Sequence, residues 1–168
     1  MDPLVVAVLA WFHILFAILW FGGSSFFGFV LAPFLGRLSV GAQREFYLNF
    51  GRRTNAFFRA VSGLTILFGF LLLYSFTNGN LSDLWTTAWG SKRSIGLSLG
   101  LVAFLLVNLL TAPHFDRAIS ILRLTQPSDH QTLPAEFQKE LRVGGISAGL
   151  TGGVLFLTLV FMVGSAFY

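Results

Sequence analysis

Residues 4–35 read LVVAVLAWFHILFAILWFGGSSFFGFVLAPFL, a run without one lysine, arginine, aspartate or glutamate. About 20 helical residues cross the hydrocarbon core of a bilayer, so this run can span it and still tilt or project. A secretory signal core has only about 7–15 apolar residues behind a basic segment. This run is much longer and no basic residue precedes it, so it reads as a retained helix. Three further apolar runs of spanning length follow, at about 56–76, 94–112 and 143–168.

Composition requires the same reading. Hydrophobic residues are 55% of the 168 before any of the 18 glycines is counted, and charged residues only 11%. Soluble domains run at about 45–50% with glycine included, and about 25% charged. Twenty phenylalanines and a mean hydropathy of +0.76 exceed what so small a core can hide, so the outer surface must be apolar and the solvent lipid. The expected fold is all-α: a single-domain, integral membrane four-helix bundle whose principal partner is the lipid bilayer. The absence of cysteine excludes disulfides, iron–sulfur clusters and thiolate zinc sites.

A sequence pI near 10.1 would suggest nucleic acid in a soluble chain. Here the basic residues sort by connection, and no nucleic-acid partner is expected. Arg37, Arg44, Arg52, Arg53, Arg117, Arg123, Lys139 and Arg142 fall in the first and third connections, with Arg59 just inside the second run. The second connection holds only Lys92 and Arg93. Positive-inside sorting then makes this a multi-pass protein of the cell (plasma) membrane with both termini outside and the basic loops cytoplasmic, and sets Trp85 and Trp89 at the outer interface. The third connection, about 113–142, balances four acidic against four basic residues. It reads as a loop between short amphipathic turns, with Leu133-Pro134-Ala135-Glu136 starting the last helix.

Small residues at four-residue spacing let helices approach closely in lipid. Gly145, Gly149 and Gly153 form one such stripe on the fourth run, with Gly144, Ala148 and Gly152 beside it; Gly96 and Gly100 form another on the third. The spacing fits helix packing, and equally a gap left for a flat cofactor.

Ionisable groups inside a membrane are costly and call for a functional hypothesis. His13 is the prime candidate, roughly 13 Å into the first run. Ala10, Ala17 and Ser24 share its face, with Trp20 two turns below. Such a setting suits an axial haem ligand, and it also suits a histidine hydrogen-bonded to a neighbouring helix. His114 lies at the other end of the third run, more than about 15 Å away in depth, too far to share one iron with His13. With Asp116 and Arg117 it reads as an interfacial polar cluster, and His130 as a solvated loop residue. Lys92 and Arg93 share the outer half with His13. Lys92 snorkels to the headgroups, pairs with a cofactor carboxylate or ligates a metal; Arg93 holds a haem propionate or an anionic lipid. Arg59 offers a similar cation at the opposite end. Asn108 and Ser98 read as interhelical hydrogen bonds. Copper favours soft ligands, and the chain offers two methionines and no cysteine.

The spacing from His13 through six residues to Trp20-Phe21-Gly22-Gly23, and then nine residues to Pro33, resembles the opening helix of the CopD-like superfamily. That group includes the copper-resistance membrane protein CopD and the HemJ-type protoporphyrinogen oxidases. Trp89-Gly90-Ser91-Lys92 ahead of an apolar run resembles the start of their third helix. The resemblance implies haem b, with His13 and Lys92 as the essential pair, or copper uptake in the CopD manner. Asn108 stands where the resemblance would set a second histidine.

Three functions are therefore expected to compete. The first is a haem b protein with His13 as metal ligand and Lys92, Arg93 and Trp20 completing the site, passing electrons to a redox partner or oxidising a quinol or porphyrinogen. The second is copper movement through His13. The third is a non-catalytic subunit or assembly factor whose glycine faces pack on other helices, in a homo-oligomer or against a larger partner.

Overall fold

The computed structural model describes residues 2–80, 82–125 and 132–164, apart from the side chains of residues 83, 88 and 89. Every regular element among them is helical. Four long rods carry the fold: α1 (Pro3–Leu35), α2 (Val40–Phe76), α3 (Gly90–Leu124) and α4 (Ala135–Gly164). Each is long and apolar enough to cross a membrane. Their outward faces carry bare hydrocarbon, such as Phe29 at 84% and Leu150 at 60% exposure. Exposing such a side chain to water costs about 1.5–3 kcal/mol; in lipid that penalty vanishes. The chain is an integral membrane protein.

Local chemistry sets the ends of the rods. Asp2 caps α1 by accepting from the Leu4 amide at 2.9 Å, with Pro3 in the first turn. Ser39 caps α2 by accepting from Ala42, and Thr87 caps the helix leading into α3 by accepting from Gly90 at 2.9 Å. Such caps satisfy amides that no preceding turn can reach. α2 ends where Asn78 and Gly79 take positive φ (47° and 79°) and the Gly79 amide bonds back to the Tyr74 carbonyl at 3.1 Å. α4 opens just after Pro134.

α1 packs along α2 and α3 along α4, and the two pairs meet side by side in an up-and-down bundle. Its membrane core joins Trp20 (α1), Val61 (α2), Ala103 and Val107 (α3) and Leu155 (α4). Prolines interrupt two rods without breaking them. A wide π-helical turn, Phe27–Leu31, precedes Pro33, and another, Leu106–Thr111, precedes Pro113. In each, the amide just before the proline reaches back five residues, Ala32 to the Phe27 carbonyl and Ala112 to that of Val107. The wider turn makes room for a ring that lacks an N–H and crowds the carbonyl four residues back.

The rods are longer than the apolar runs suggested. At 1.5 Å per residue the 37 residues of α2 span about 55 Å and the 35 of α3 about 52 Å, against a hydrocarbon core of about 30 Å. The first and third connections are therefore mostly helix: residues 40–55 extend α2, 112–124 extend α3 and 135–142 begin α4. These extensions share a second core of Leu35, Tyr47, Ala118, Leu122 and Phe137, with Tyr47 and Phe137 packed edge to face at 5.2 Å. Arg44 ties it down, its guanidinium donating to the Thr125 carbonyl at 2.6 Å, where the end of α3 presents acceptors. The Pro-Ser-Asp stretch, His130 and residues 165–168 lie outside the described residues.

Candidate functional site

His13 projects from α1 onto α2. Its Nδ1 lies 3.0 Å from the Thr65 carbonyl. A carbonyl only accepts, so Nδ1 carries the proton and donates, and the Nε2 lone pair stays available. No described residue hydrogen-bonds Nε2. The Nδ1–Cε1 edge of the ring comes close to the α2 backbone because residue 69 is glycine: a Cβ there would stand 2.8 Å from His13 Cε1 and 3.0 Å from Nδ1. Phe68 stacks with Phe12 at 5.0 Å and with Phe16 at 5.6 Å. An imidazole is thus held through one nitrogen by a backbone oxygen, with the other nitrogen kept as a base. Neither Thr65 nor Gly69 is legible as part of this site in the sequence. A backbone acceptor leaves no side-chain signature, and Gly69 belongs to no glycine repeat.

The other expected site residues are spread through the bundle. Trp20 is 1% exposed, at the centre of the membrane core, and its Nε1 has no hydrogen-bond partner among the described residues. Arg93 lies at the far end of α2, its guanidinium carbon 4.8 Å from the centroid of the Phe76 ring, a cation–π contact. Lys92 is half-buried beside it. Gly69 precedes Phe76 by seven residues, so His13 lies about 10 Å deeper than Arg93. α1 packs chiefly on α2 rather than on the start of α3. His13 is thus brought to Thr65 and Gly69, while Lys92 and Arg93 are grouped one layer above.

Polar side chains elsewhere in the bundle lock helices together. Asn108 donates to the Phe104 carbonyl at 2.9 Å and to Ser62 at 3.3 Å, and Thr111 pairs with Ser147 at 2.8 Å. Ser98 instead lines an outer groove with Trp85, Ser91, Ser94, Ile95 and Leu99. At the basic end, Asn55 donates to the Ala112 carbonyl at 2.9 Å and to Asp116 at 2.7 Å, while Arg59 meets the other Asp116 oxygen at 2.9 Å. His114 Nδ1 pairs with Glu140 at 2.6 Å. His114, Asp116 and Arg117 do fall in one polar cluster: His114 pairs with Glu140 of α4 and Asp116 with Arg59 and Asn55 of α2. The His114 hydrogen bond, helped by the Arg117 charge, holds the Glu140 carboxyl below the usual carboxylate range.

The glycines divide by face. Gly96 meets Met162, Gly100 meets Ile66 and Thr158, and Gly144 meets Phe115 and His114. Gly145, Gly149, Gly152 and Gly153 have nothing within 4 Å of the point where a Cβ would stand, so most of the fourth-helix stripe does not pack inside the bundle. Among the described residues no group of three or more His, Cys, Asp or Glu side chains converges as a metal site. The chain matches no protein-family model, no curated protein and no solved structure.

Proposed function

We propose that this chain is an integral membrane haem b-binding protein, in which His13 Nε2 would hold the iron. The observation that carries the reading is the commitment of His13 Nδ1–H to the Thr65 carbonyl. A second partner of this kind fixes the tautomer and orientation of metal-ligating histidines and raises their basicity. When bound, haem would supply one-electron redox chemistry, for electron transfer or for oxidation of a quinol or porphyrinogen. The protein's own part is to hold the imidazole on Gly69, to exclude water with Phe12, Phe16 and Phe68, and to offer Arg93 and Lys92 as cations one layer above. That offset suits charge pairing with propionates better than ligation by Lys92. Trp20 would lend a buried N–H about 10 Å further in.

The spacing of His13 to Trp20-Phe21-Gly22-Gly23, resembling the CopD-like superfamily, supports the same reading. Copper is the weaker alternative, because a protein copper site wants several donors together and no group of three or more His, Cys, Asp or Glu side chains forms among the described residues. The concentration of basic residues at one end, with only Lys92 and Arg93 at the other, supports a plasma-membrane orientation with that end cytoplasmic and both termini outside.

A reduced-minus-oxidised spectrum of the detergent-purified protein tests the haem reading. The expected result is a b-type Soret and α band that His13→Ala abolishes. A wild type that is colourless from haem-sufficient cells and unresponsive to added hemin overturns it.

A further inference from the structure

The basic end carries a groove that the haem reading does not use. It lies between α2 and α3, has a volume of about 250 Å³, and is lined by Arg52, Asp116, Ile119, Ser120 and Arg123. Its floor is the buried Ile119 side chain, seated so closely on Gly51 that a Cβ there would stand 2.8 Å from Ile119 Cδ1. The anionic and hydroxyl groups in the lining are already engaged. Asp116 accepts from Asn55 at 2.7 Å and from Arg59 at 2.9 Å, and the Ser120 hydroxyl donates to the Asp116 carbonyl at 2.9 Å. Arg52 and Arg123 form no ion pair with any described residue. Among the described residues the lining therefore presents two guanidinium groups without an ion-pair partner, with Arg53 next in sequence.

Depth indicates what would meet them. Phe76 and Arg93 are level through their contact. Arg52 lies 24 residues before Phe76 and Asp116 lies 23 after Arg93, so both sit about 35 Å from that outer contact, with Arg123 two turns, about 10 Å, further along α3. This is just beyond a hydrocarbon core of about 30 Å and within the headgroup layer. The Asn55–Asp116 hydrogen bond confirms that these parts of α2 and α3 share one level. Arginine forks match phosphate oxygens in parallel pairs of N–H bonds, and basic pockets between helices at this level suit anionic headgroups.

We propose that the Arg52–Arg123 groove binds a phosphate group at the membrane surface, carried by an anionic phospholipid headgroup or by a free phosphate. Native mass spectrometry of the full chain in detergent, titrated with phosphatidylglycerol or phosphatidylcholine, distinguishes the lipid source; a parallel titration with inorganic phosphate reports the free one. Arg52→Gln/Arg123→Gln is the test variant. Both side chains are exposed, so the cores stay intact, which circular dichroism checks. Arg37→Gln, at an exposed arginine outside the groove, controls for removal of a basic side chain elsewhere on the surface. The expected result is preferential retention of phosphatidylglycerol, weakened about tenfold or more in the double variant, as loss of charge-assisted hydrogen bonds implies, and unchanged by Arg37→Gln. Arginine-dependent binding of inorganic phosphate without lipid preference also supports the groove and assigns the free source. If the double variant binds every probe as Arg37→Gln does, the proposal is overturned.

Discussion

Gly69→Ala tests the contact on which the His13 site rests. The added methyl would stand 2.8 Å from His13 Cε1, closer than carbon atoms pack, and 3.0 Å from Nδ1, a tight contact. Either the imidazole rotates away and releases Thr65, or α1 and α2 move apart. Overpacking of this kind costs about 1–3 kcal/mol, and the lost hydrogen bond adds about 1 kcal/mol. Alanine's better helix propensity returns up to about 1 kcal/mol. The expected net destabilisation is about 1–3 kcal/mol, read by sodium dodecyl sulfate titration of the detergent-solubilised protein with circular dichroism. A double-mutant cycle isolates the cause. With His13→Ala the obstructing ring is absent, so Gly69→Ala becomes neutral or stabilising, and the coupling exceeds about 1 kcal/mol. Gly149→Ala, where nothing lies within 4 Å, serves as the unobstructed comparison and is expected to be tolerated. Additive effects at His13 and Gly69, or a Gly69→Ala protein as stable as wild type, would refute the placement of the ring on α2.

Further expectations concern the basic end and the topology. Phe137→Ala removes a side chain that is 0% exposed between the helix extensions and should cost about 3–5 kcal/mol, measured by the same titration. Asn55→Ala should cost about 1–3 kcal/mol, because its buried amide serves both the Ala112 carbonyl and Asp116. Arg59→Gln should cost less than about 1 kcal/mol, since that pair is 42% and 47% exposed; a larger loss for Arg59→Gln than for Asn55→Ala would contradict the assignment. Because the chain has no cysteine, single substitutions report sidedness without background. In intact cells a membrane-impermeant maleimide should label Thr86→Cys and spare Arg37→Cys, and the reverse pattern would invert the proposed orientation.

What the sequence alone determined follows from the solvent. Lipid demands hydrocarbon at every outward position and internally paired backbone, so four long apolar runs with almost no charge could form only spanning helices. Pro134 marked the start of α4 because proline suits a helix's opening, where amides have no intrahelical acceptor. His13 stood out because it is the lone ionisable side chain in residues 4–35. The length of the rods was not legible, since the extensions are amphipathic and lose the hydrophobic run that announces a span; it took the shared Tyr47–Phe137 core to show why they stay helical. Gly96 and Gly149 sit in similar four-residue spacings, yet one is sealed by Met162 and the other is open. Spacing specifies which residues share a face of a helix, whereas the rotation of that helix within the bundle decides what the face meets. For the same reason only the tertiary structure could join His13 to the Thr65 carbonyl across 52 positions of chain and set Arg52 beside Arg123: both depend on how α2 lies against its neighbours, and the acceptor at Thr65 is backbone that every residue possesses.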